Sequence, residues 1–371
     1  MSILVILLVF IALFLLINLM MEKVALKHLV LLRRFKQPAV FCGEESEMVE
    51  TIINDRPVPI PWLRVESRIS PYLRFGRQEN LEVRGEMYHR SLFSVMPYQQ
   101  IVRHHRVRFL RRGIYNVGSA ALTAGDVTGL FHASREQALS MTVTVFPRLM
   151  DPEDMPQPLQ ILSGNWSRER QLLKDPFLVK GIREYQIGDP VRDIHWPASA
   201  RMQSLQVRIH DDEAHMHLMV LMNGQLRDDQ WDDLMDYEQD AIEYLISVAA
   251  TLCMEALQQG MRAGFAANLP FLDGSERECA FLLPEAGAGR DEFLLSRMAA
   301  LKIRRVLSFP SFLSDIRLPD NTETVILSCY ESAAIHERVS NLIAEGHKVY
   351  LMVLGGDVRE TIHQRKPAEN D

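Results

Sequence analysis

The densest run of chemistry-bearing side chains lies between Gly181 and Arg201. Arg183, Tyr185, Gly188, Asp189, Arg192, Asp193, His195, Trp196, Ser199 and Arg201 all fall there, the span from Arg183 to Arg201 being 19 positions. Carboxylates and guanidiniums this close can form two-pronged ion pairs. A carboxylate near an imidazole is also the make-up of a general acid/base or ligand site, which would draw on Asp189 or Asp193 together with His195. The alternative is structural: the same groups satisfy one another and clamp a long loop onto a sheet, as ion-pair networks elsewhere do. Gly188-Asp189-Pro190 reads as a turn, and Ile194 and Trp196 are apolar enough to bury beside it.

Other constellations are thinner. His215 and His217 share one face of a strand, whereas His104 and His105 face opposite sides; neither pair comes with the further ligands that a metal needs. Cys42, Cys253, Cys279 and Cys329 lie far apart without a C-x-x-C pair, so they read as small buried apolar residues rather than a zinc cluster or disulfide framework. The acidic run from Asp228 to Asp240 lacks the glycine and ligand spacing of a calcium loop and suits a solvated helix start, with a docking face for a basic partner as the second reading. Arg103, Arg106, Arg108, Arg111 and Arg112 suit a charge-guarded strand edge, or second a face toward anionic lipid. No G-x-x-x-x-G-K-[ST], H-E-x-x-H or G-x-S-x-G occurs, so no recognisable means of ATP use or common hydrolysis is present. A net charge of -7 and a pI near 6.0 argue against a nucleic-acid binder, which needs excess cationic charge. No cofactor is expected.

The elements that must position these groups differ along the 371 residues. Ile3 to Met20 is apolar except for Asn18, long enough as a helix to cross a hydrocarbon core of about 30 Å. No basic residue precedes it and no A-x-A-like site follows, which predicts a retained anchor rather than a cleaved leader. Lys23, Lys27, Arg33, Arg34 and Lys36 follow it, which predicts an inner-membrane, single-pass protein with its N-terminus outside and its bulk cytoplasmic. Residues 23–37 are expected as a juxtamembrane amphipathic helix, with Val24, Leu29, Val30 and Leu31 among its apolar positions. From 38 to 148, short β-branched runs such as Met48 to Ile53, Trp62 to Ser67, Gln100 to Phe109 and Met141 to Phe146 alternate with turns, which predicts a small antiparallel β-sandwich. A proline-rich linker is expected over 149–160. From 161 to 358 strands alternate with helices, including a long helix over Asp232 to Gln259, as in an α/β domain with a mainly parallel sheet covered on both faces. A polar tail follows over 359–371.

The segment from Arg183 to Arg201 resembles the signature of the domain of unknown function 58 family, R-x-Y-x-x-G-D-x-x-R-x-I-x-W-x-x-S-A-R. It matches at Arg183, Tyr185, Gly188, Asp189, Arg192, Ile194, Trp196, Ser199, Ala200 and Arg201. Arg112-Gly113-Ile114-Tyr115, Asp126 to Phe131 and Val145-Phe146-Pro147-Arg148 resemble the family's R-G-x-Y, D-x-x-G-L-F and V-Y-P-R landmarks. The resemblance covers about residues 37 to 225. It implies a C-terminal domain like the von Willebrand factor type A fold and association with a MoxR-type AAA+ ATPase in protein maturation or complex assembly. Metal-binding domains of that kind carry D-x-S-x-S after the first central strand, where oxygens hold Mg²⁺. Here Asn223-Gly224-Gln225 follows the strand His217 to Met222, so no such metal site is expected. The function expected is that of a membrane-anchored, non-enzymatic adaptor, with the signature loop structural or partner-binding. The alternatives are an enzyme with an acid/base site between Asp189 and His195, and an envelope-associated scaffold recognised through its β domain.

Overall fold

The computed structural model describes residues 5–9, 26–76, 81–83, 88–125, 132–173, 179–186, 189, 191, 194–210, 217–230, 234–319 and 322–354. The chain divides into two compact units, Met1–Arg148 and Leu149–Asp371.

The described residues of the first unit form β1 (Leu29–Phe35), β2 (Ala39–Phe41), β3 (Glu45–Asn54), β4 (Ile60–Arg68), β5 (Leu73–Phe75), β6 (Leu81–Val83), β7 (Tyr88–Val95), β8 (Gln100–Phe109), β9 (Gly113–Gly125) and β10 (His132–Phe146). They make a four-stranded sheet, β1-β3-β8-β5, and a six-stranded sheet, β2-β10-β9-β4-β7-β6. Period-two alternation builds these strands. In β3 every second residue is buried, so Met48 and Ile52 enter the core while Val49 and Thr51 face outward. Met48, Ile52, Leu63, Val65, Val107, Phe109, Leu122, Val143 and Val145 join in one cluster, each contributing on the order of 1.5–3 kcal/mol by leaving water. Carbonyls of β1 and of the turn before it are covered by side chains of β10. The Arg135 guanidinium donates to the Leu26 and Leu29 carbonyls at 2.7 and 2.8 Å, and Gln137 Nε2 donates to the Leu31 carbonyl at 2.6 Å.

The R-G-x-Y landmark is a backbone corner. Gly113 sits at φ 151°, a conformation that favours glycine. The Tyr115 ring folds back over it, and its hydroxyl donates to the Arg111 carbonyl at 2.7 Å.

The second unit carries β11 (Val179–Glu184), β12 (Gln206–His210), β13 (His217–Met222), β14 (Arg262–Ala267), β15 (Ala280–Glu285), β16 (Thr322–Ser328) and β17 (Lys348–Val353). Its helices are α1 (Gln157–Leu173), α2 (Trp196–Met202), α3 (Asp236–Gln258), α4 (Arg290–Ala299), α5 (Phe309–Asp315) and α6 (Ala333–Ala344). β11 and β12 form their own two-stranded sheet, and the rest form a five-stranded sheet in the order β15-β14-β13-β16-β17. The central pairs are parallel and the β14–β15 edge is antiparallel. Helix α3 packs on β13 and β14. Phe309, Phe312 and Leu313 of α5 and Ile335 and Val339 of α6 pack with Met219, Leu221, Ala266 and Ile326 of the sheet. At Gly264 a Cβ would come within 2.7 Å of the Leu282 carbonyl oxygen and the Pro284 nitrogen, so the β14–β15 approach requires glycine there.

Several expectations are corrected. The α/β class of the von Willebrand factor type A kind, with a mainly parallel sheet and a membrane helix, gives way over the described residues to a β-rich chain, whose first unit holds two sheets around one core. Among the described residues antiparallel pairs prevail over the four sheets, because the long alternating strands β8, β9 and β10 supply so much ladder. The helix expected to cross a membrane, and with it the inner-membrane placement, is overturned: among the described residues no helix is long and apolar enough to cross one. Residues 5–9 are helical, about 7.5 Å at 1.5 Å per residue; the other residues of the expected anchor lie outside the described set. The expected amphipathic helix over 23–37 contains strand β1, whose inward Leu29, Leu31 and Arg33 alternate with outward residues. The expected linker over 149–160 holds a short 3-10 turn at Pro152–Asp154 and the start of α1. β8, expected as a guarded edge, is bracketed by β3 and β5. Of the cysteines only Cys253 is fully buried, and the other three are partly exposed. The tail 359–371 lies outside the described residues.

Candidate functional site

The signature segment is built around β12. On one side β11 pairs antiparallel, with Arg183 opposite Val207. On the other, Ile194 bridges to Val207 and the His195 N–H donates to the Gln206 carbonyl at 2.8 Å. Ile194 and Val207 are buried and seal this small layer.

The turn leaving β11 is held by Asp189. Its carboxylate takes two prongs from the Arg183 guanidinium, at 2.7 and 2.8 Å, and the Gln186 backbone N–H at 2.8 Å. The hydrogen bonds from Arg183 and then from the Gln186 N–H hold its pKa at about 2. The Tyr185 N–H donates to the Leu205 carbonyl at 2.8 Å, which continues the ladder past β11.

Helix α2 opens on His195. Its Nδ1 accepts the Ala198 N–H at 3.0 Å, a cap for an otherwise unmatched donor. Ser199 then ties the helix to the strand: its hydroxyl donates to the His195 carbonyl at 3.1 Å and accepts the Gln206 N–H at 2.8 Å. Gln203 ends the helix at φ 53°, a left-handed cap. Arg201 sits exposed in the last turn, where the helix dipole favours a cation.

Of Asp189, Asp193 and His195, the candidates of the enzymatic alternative, Asp189 and His195 are thus each engaged in holding backbone. Gly188, Arg192 and Asp193 lie outside the described residues. Trp196, expected with Ile194 to bury beside the Gly188-Asp189-Pro190 turn, is corrected. As the first residue of α2 it points outward and is 63% exposed, as are Met202 at 70% and Val191 at 67%. Ile182 and Leu205 are also exposed. Nothing in the apolarity of these residues distinguishes them from core; for Trp196 and Met202 the exposure follows from where the caps place the helix.

A second polar cluster sits beyond the carboxyl ends of β13, β14 and β16. Asn223 Nδ2 donates to Ser328 Oγ at 3.0 Å, and Asn223 Oδ1 accepts the Gln225 N–H at 3.0 Å. Asn268 Oδ1 accepts the Gly224 N–H at 2.7 Å, and Gln225 Oε1 accepts the Phe309 N–H at 2.8 Å. All four side chains are buried. Where a metal motif would place carboxylate and hydroxyls, neutral amides join the loops that leave three strands. Asn268 and Ser328 carry no local motif and become visible only once the strands are aligned. Among the described residues no group of three or more His, Cys, Asp or Glu is arranged to hold a metal. His215 lies outside them.

Residues 181–273 match the family model described as a protein of unknown function, DUF58, so the family read from the signature is shown over this segment. The chain is 22% identical over 237 residues to the uncharacterized protein YeaD of Bacillus subtilis strain 168, covering 63% of this chain and 54% of that protein. Among solved structures, a non-cellulosomal cohesin from Archaeoglobus fulgidus is 11% identical with a TM-score of 0.23, covering 31% of this chain and 90% of that one. The CARDB domain of a Pyrococcus furiosus protein is 15% identical with a TM-score of 0.22, covering 32% and 93%.

Proposed function

We propose that this chain is a non-enzymatic accessory protein that binds another protein through its signature segment, with a MoxR-type AAA+ ATPase as the partner. The observation that carries this reading is the exposure of Trp196, Val191 and Met202 beside a turn and helix held by Arg183–Asp189, His195 and Ser199. A large aromatic residue exposed on a pre-set frame is the usual anchor of a protein interface, because little order remains to be imposed on binding. Against the acid/base alternative stands the engagement of Asp189 with Arg183 and the Gln186 N–H and of His195 Nδ1 with the Ala198 N–H. The ATPase as partner rests on the family resemblance and the missing nucleotide-binding motif.

The test is capture from extract by the tagged full-length chain, with Trp196→Ala beside it. An AAA+ ATPase recovered by the parent and lost with Trp196→Ala supports the reading. Equal recovery by both would move the surface elsewhere, and recovery of no ATPase by the folded parent would remove the proposed partner.

A further inference from the structure

The outer face of the sheet β1-β3-β8-β5 is apolar at one end and cationic at the other. Register fixes this, because cross-strand partners share a face. Val30 lies opposite Ile53, Leu32 opposite Thr51, and Thr51 opposite Val102. Val30, Leu32 and Val102 are 41, 54 and 45% exposed, and Thr51 and Ile53 are half-buried between them. The next row is Arg34, Val49 and His104. Beyond it stand Arg106 opposite Glu47, and Arg108 between Glu45 and Arg74. Because β8 is bracketed by β3 and β5, these arginines guard no edge. Arg74 and Arg108 are like charges directly opposite each other, which destabilises a sheet. Lys36 and His104 both draw on Glu47, at 3.6 and 3.5 Å. Among the described residues Arg34, Arg74 and Arg106 form no ion pair. The outer face of the six-stranded sheet differs: there Arg90 and Arg64 both pair with Glu66, at 2.6 and 3.3 Å.

An exposed aliphatic patch beside unmatched cations fits a surface with aliphatic and acidic groups in the same order. A second copy of this face does not supply it. A two-fold axis along the strands would set cations on cations, and one across them would set the apolar end on the cationic end. A lipid surface fits less well, because Glu45 and Glu47 stand among the cations and a plane of anionic headgroups cannot avoid them. A helix can place its own carboxylates between them. Over three strands the face is about 10 Å wide, about the diameter of one helix. From the Val30 row to the Arg108 row it runs about 27 Å at about 3.4 Å per residue, the length of roughly 18 helical residues. We propose that this face receives one amphipathic helix of a protein partner, aliphatic at one end of its contact stripe and acidic at the other. The aliphatic end covers Val30, Leu32, Ile53 and Val102, and the carboxylates meet Arg34, Arg74 and Arg106. The surface lies in the first unit, so it goes beyond the signature segment and is tested separately from it.

The test is titration calorimetry of the purified full-length chain with capped helical peptides of about 18 residues. The first peptide carries leucines along one stripe in one half and glutamates along the same stripe in the other. The second has Gln for each Glu, and the third has Lys. Binding of the Glu peptide, about tenfold weaker binding of the other two, and weakening at high salt are expected. Arg34→Glu combined with Arg106→Glu should reverse the order, so that the Lys peptide binds better than the Glu peptide. Leu32→Ser combined with Val102→Ser should weaken the Glu peptide about tenfold without changing its salt dependence. All four side chains are exposed, and each variant is compared at an unchanged unfolding transition. No binding of the Glu peptide, equal binding of the Glu and Lys peptides, or an unreversed order in the charge-swapped variant would overturn the proposal. Binding to phosphatidylglycerol vesicles but to none of the peptides would overturn it in favour of lipid. Capture of the ATPase reads the signature segment on its own. Its failure with peptide binding intact removes the adaptor and leaves this face, and the converse removes this face alone.

Discussion

Arg33 of β1 and Glu50 of β3 are cross-strand partners with side chains fully removed from solvent. The Arg33 Nε donates to Glu50 Oε1 at 2.8 Å, and its Nη1 donates to the Ser67 hydroxyl of β4. The other Glu50 oxygen lies 3.1 Å from His105 Nε2. The ring of His89 stands edge-on to His105, 5.0 Å between centroids, and Phe75 packs on His89 at 4.6 Å. A charged cluster thus links both sheets inside an otherwise apolar core.

Breaking this pair from one side should cost far more than removing both partners. Arg33→Met leaves an uncompensated buried carboxylate, and the expected loss is about 3–5 kcal/mol. Arg33→Met with Glu50→Leu should recover most of it, because apolar groups of similar volume replace both charges. Urea unfolding followed by circular dichroism checks the order; a double variant as unstable as the single one would contradict it.

The same cluster sets a pH dependence. Burial, then the Arg33 charge, depresses the His89 pKa to about 3. Burial by itself would raise the Glu50 carboxyl, but Arg33 and the bond from His105 bring it to about 2. Both folded-state values lie below the ordinary 6.5 and 4.5, so in each case the unfolded chain takes up the proton first. Stability is complete above about pH 6.5 and falls on acidification. Between 6.5 and 4.5 His89 sets the slope, up to about 1.4 kcal/mol per pH unit, and below 4.5 Glu50 adds to it. His89→Leu should flatten the profile between 6.5 and 4.5, as measured by chemical denaturation at each pH.

Gly264→Ala should cost about 1–3 kcal/mol as an overpacking change. The added methyl meets backbone atoms of β15 at 2.7 Å as well as the Met219 sulfur at 2.8 Å, and backbone has little room to give. Gly118→Ala, with nothing within 4 Å of the added methyl, is the control. Equal unfolding midpoints for the two variants would count against the contact.

Trp196→Ala should leave thermal unfolding within about 0.5 kcal/mol of the parent, as for exposed positions generally. Asp189→Asn retains the size of the side chain and removes the charge that Arg183 holds. Its expected effect is a weakened capture of the partner with the unfolding transition little changed.

Much of the strand and helix pattern was legible in the sequence. The runs at Met48 to Ile53, Gln100 to Phe109 and Met141 to Phe146 lie in β3, β8 and β10, and the helix expected over Asp232 to Gln259 contains α3. β1 was not legible as a strand. Leu29-Val30-Leu31-Leu32 is apolar on both faces, and the inward position that follows is Arg33, a charge where a strand pattern calls for an apolar residue. Its partner Glu50 lies 17 positions away, so no local pattern announces the pair. α5 was hidden by Ser308-Phe309-Pro310-Ser311, which reads as a turn but is a serine cap followed by an early proline. At the signature, residue types pointed to ion pairing, and Arg183–Asp189 is one; the hydroxyl and imidazole roles depend on β12, which lies beyond the motif.

The covering of β1 by Arg135 and Gln137 has a consequence for self-association. A bare strand edge invites a second chain to extend the sheet. Here the Leu26, Leu29 and Leu31 carbonyls already accept from side chains of β10, so an incoming strand would have to displace charged and amide donors before it could pair. This border of the sheet is thereby protected against runaway strand addition, and removing Arg135 would expose it as a seed for aggregation.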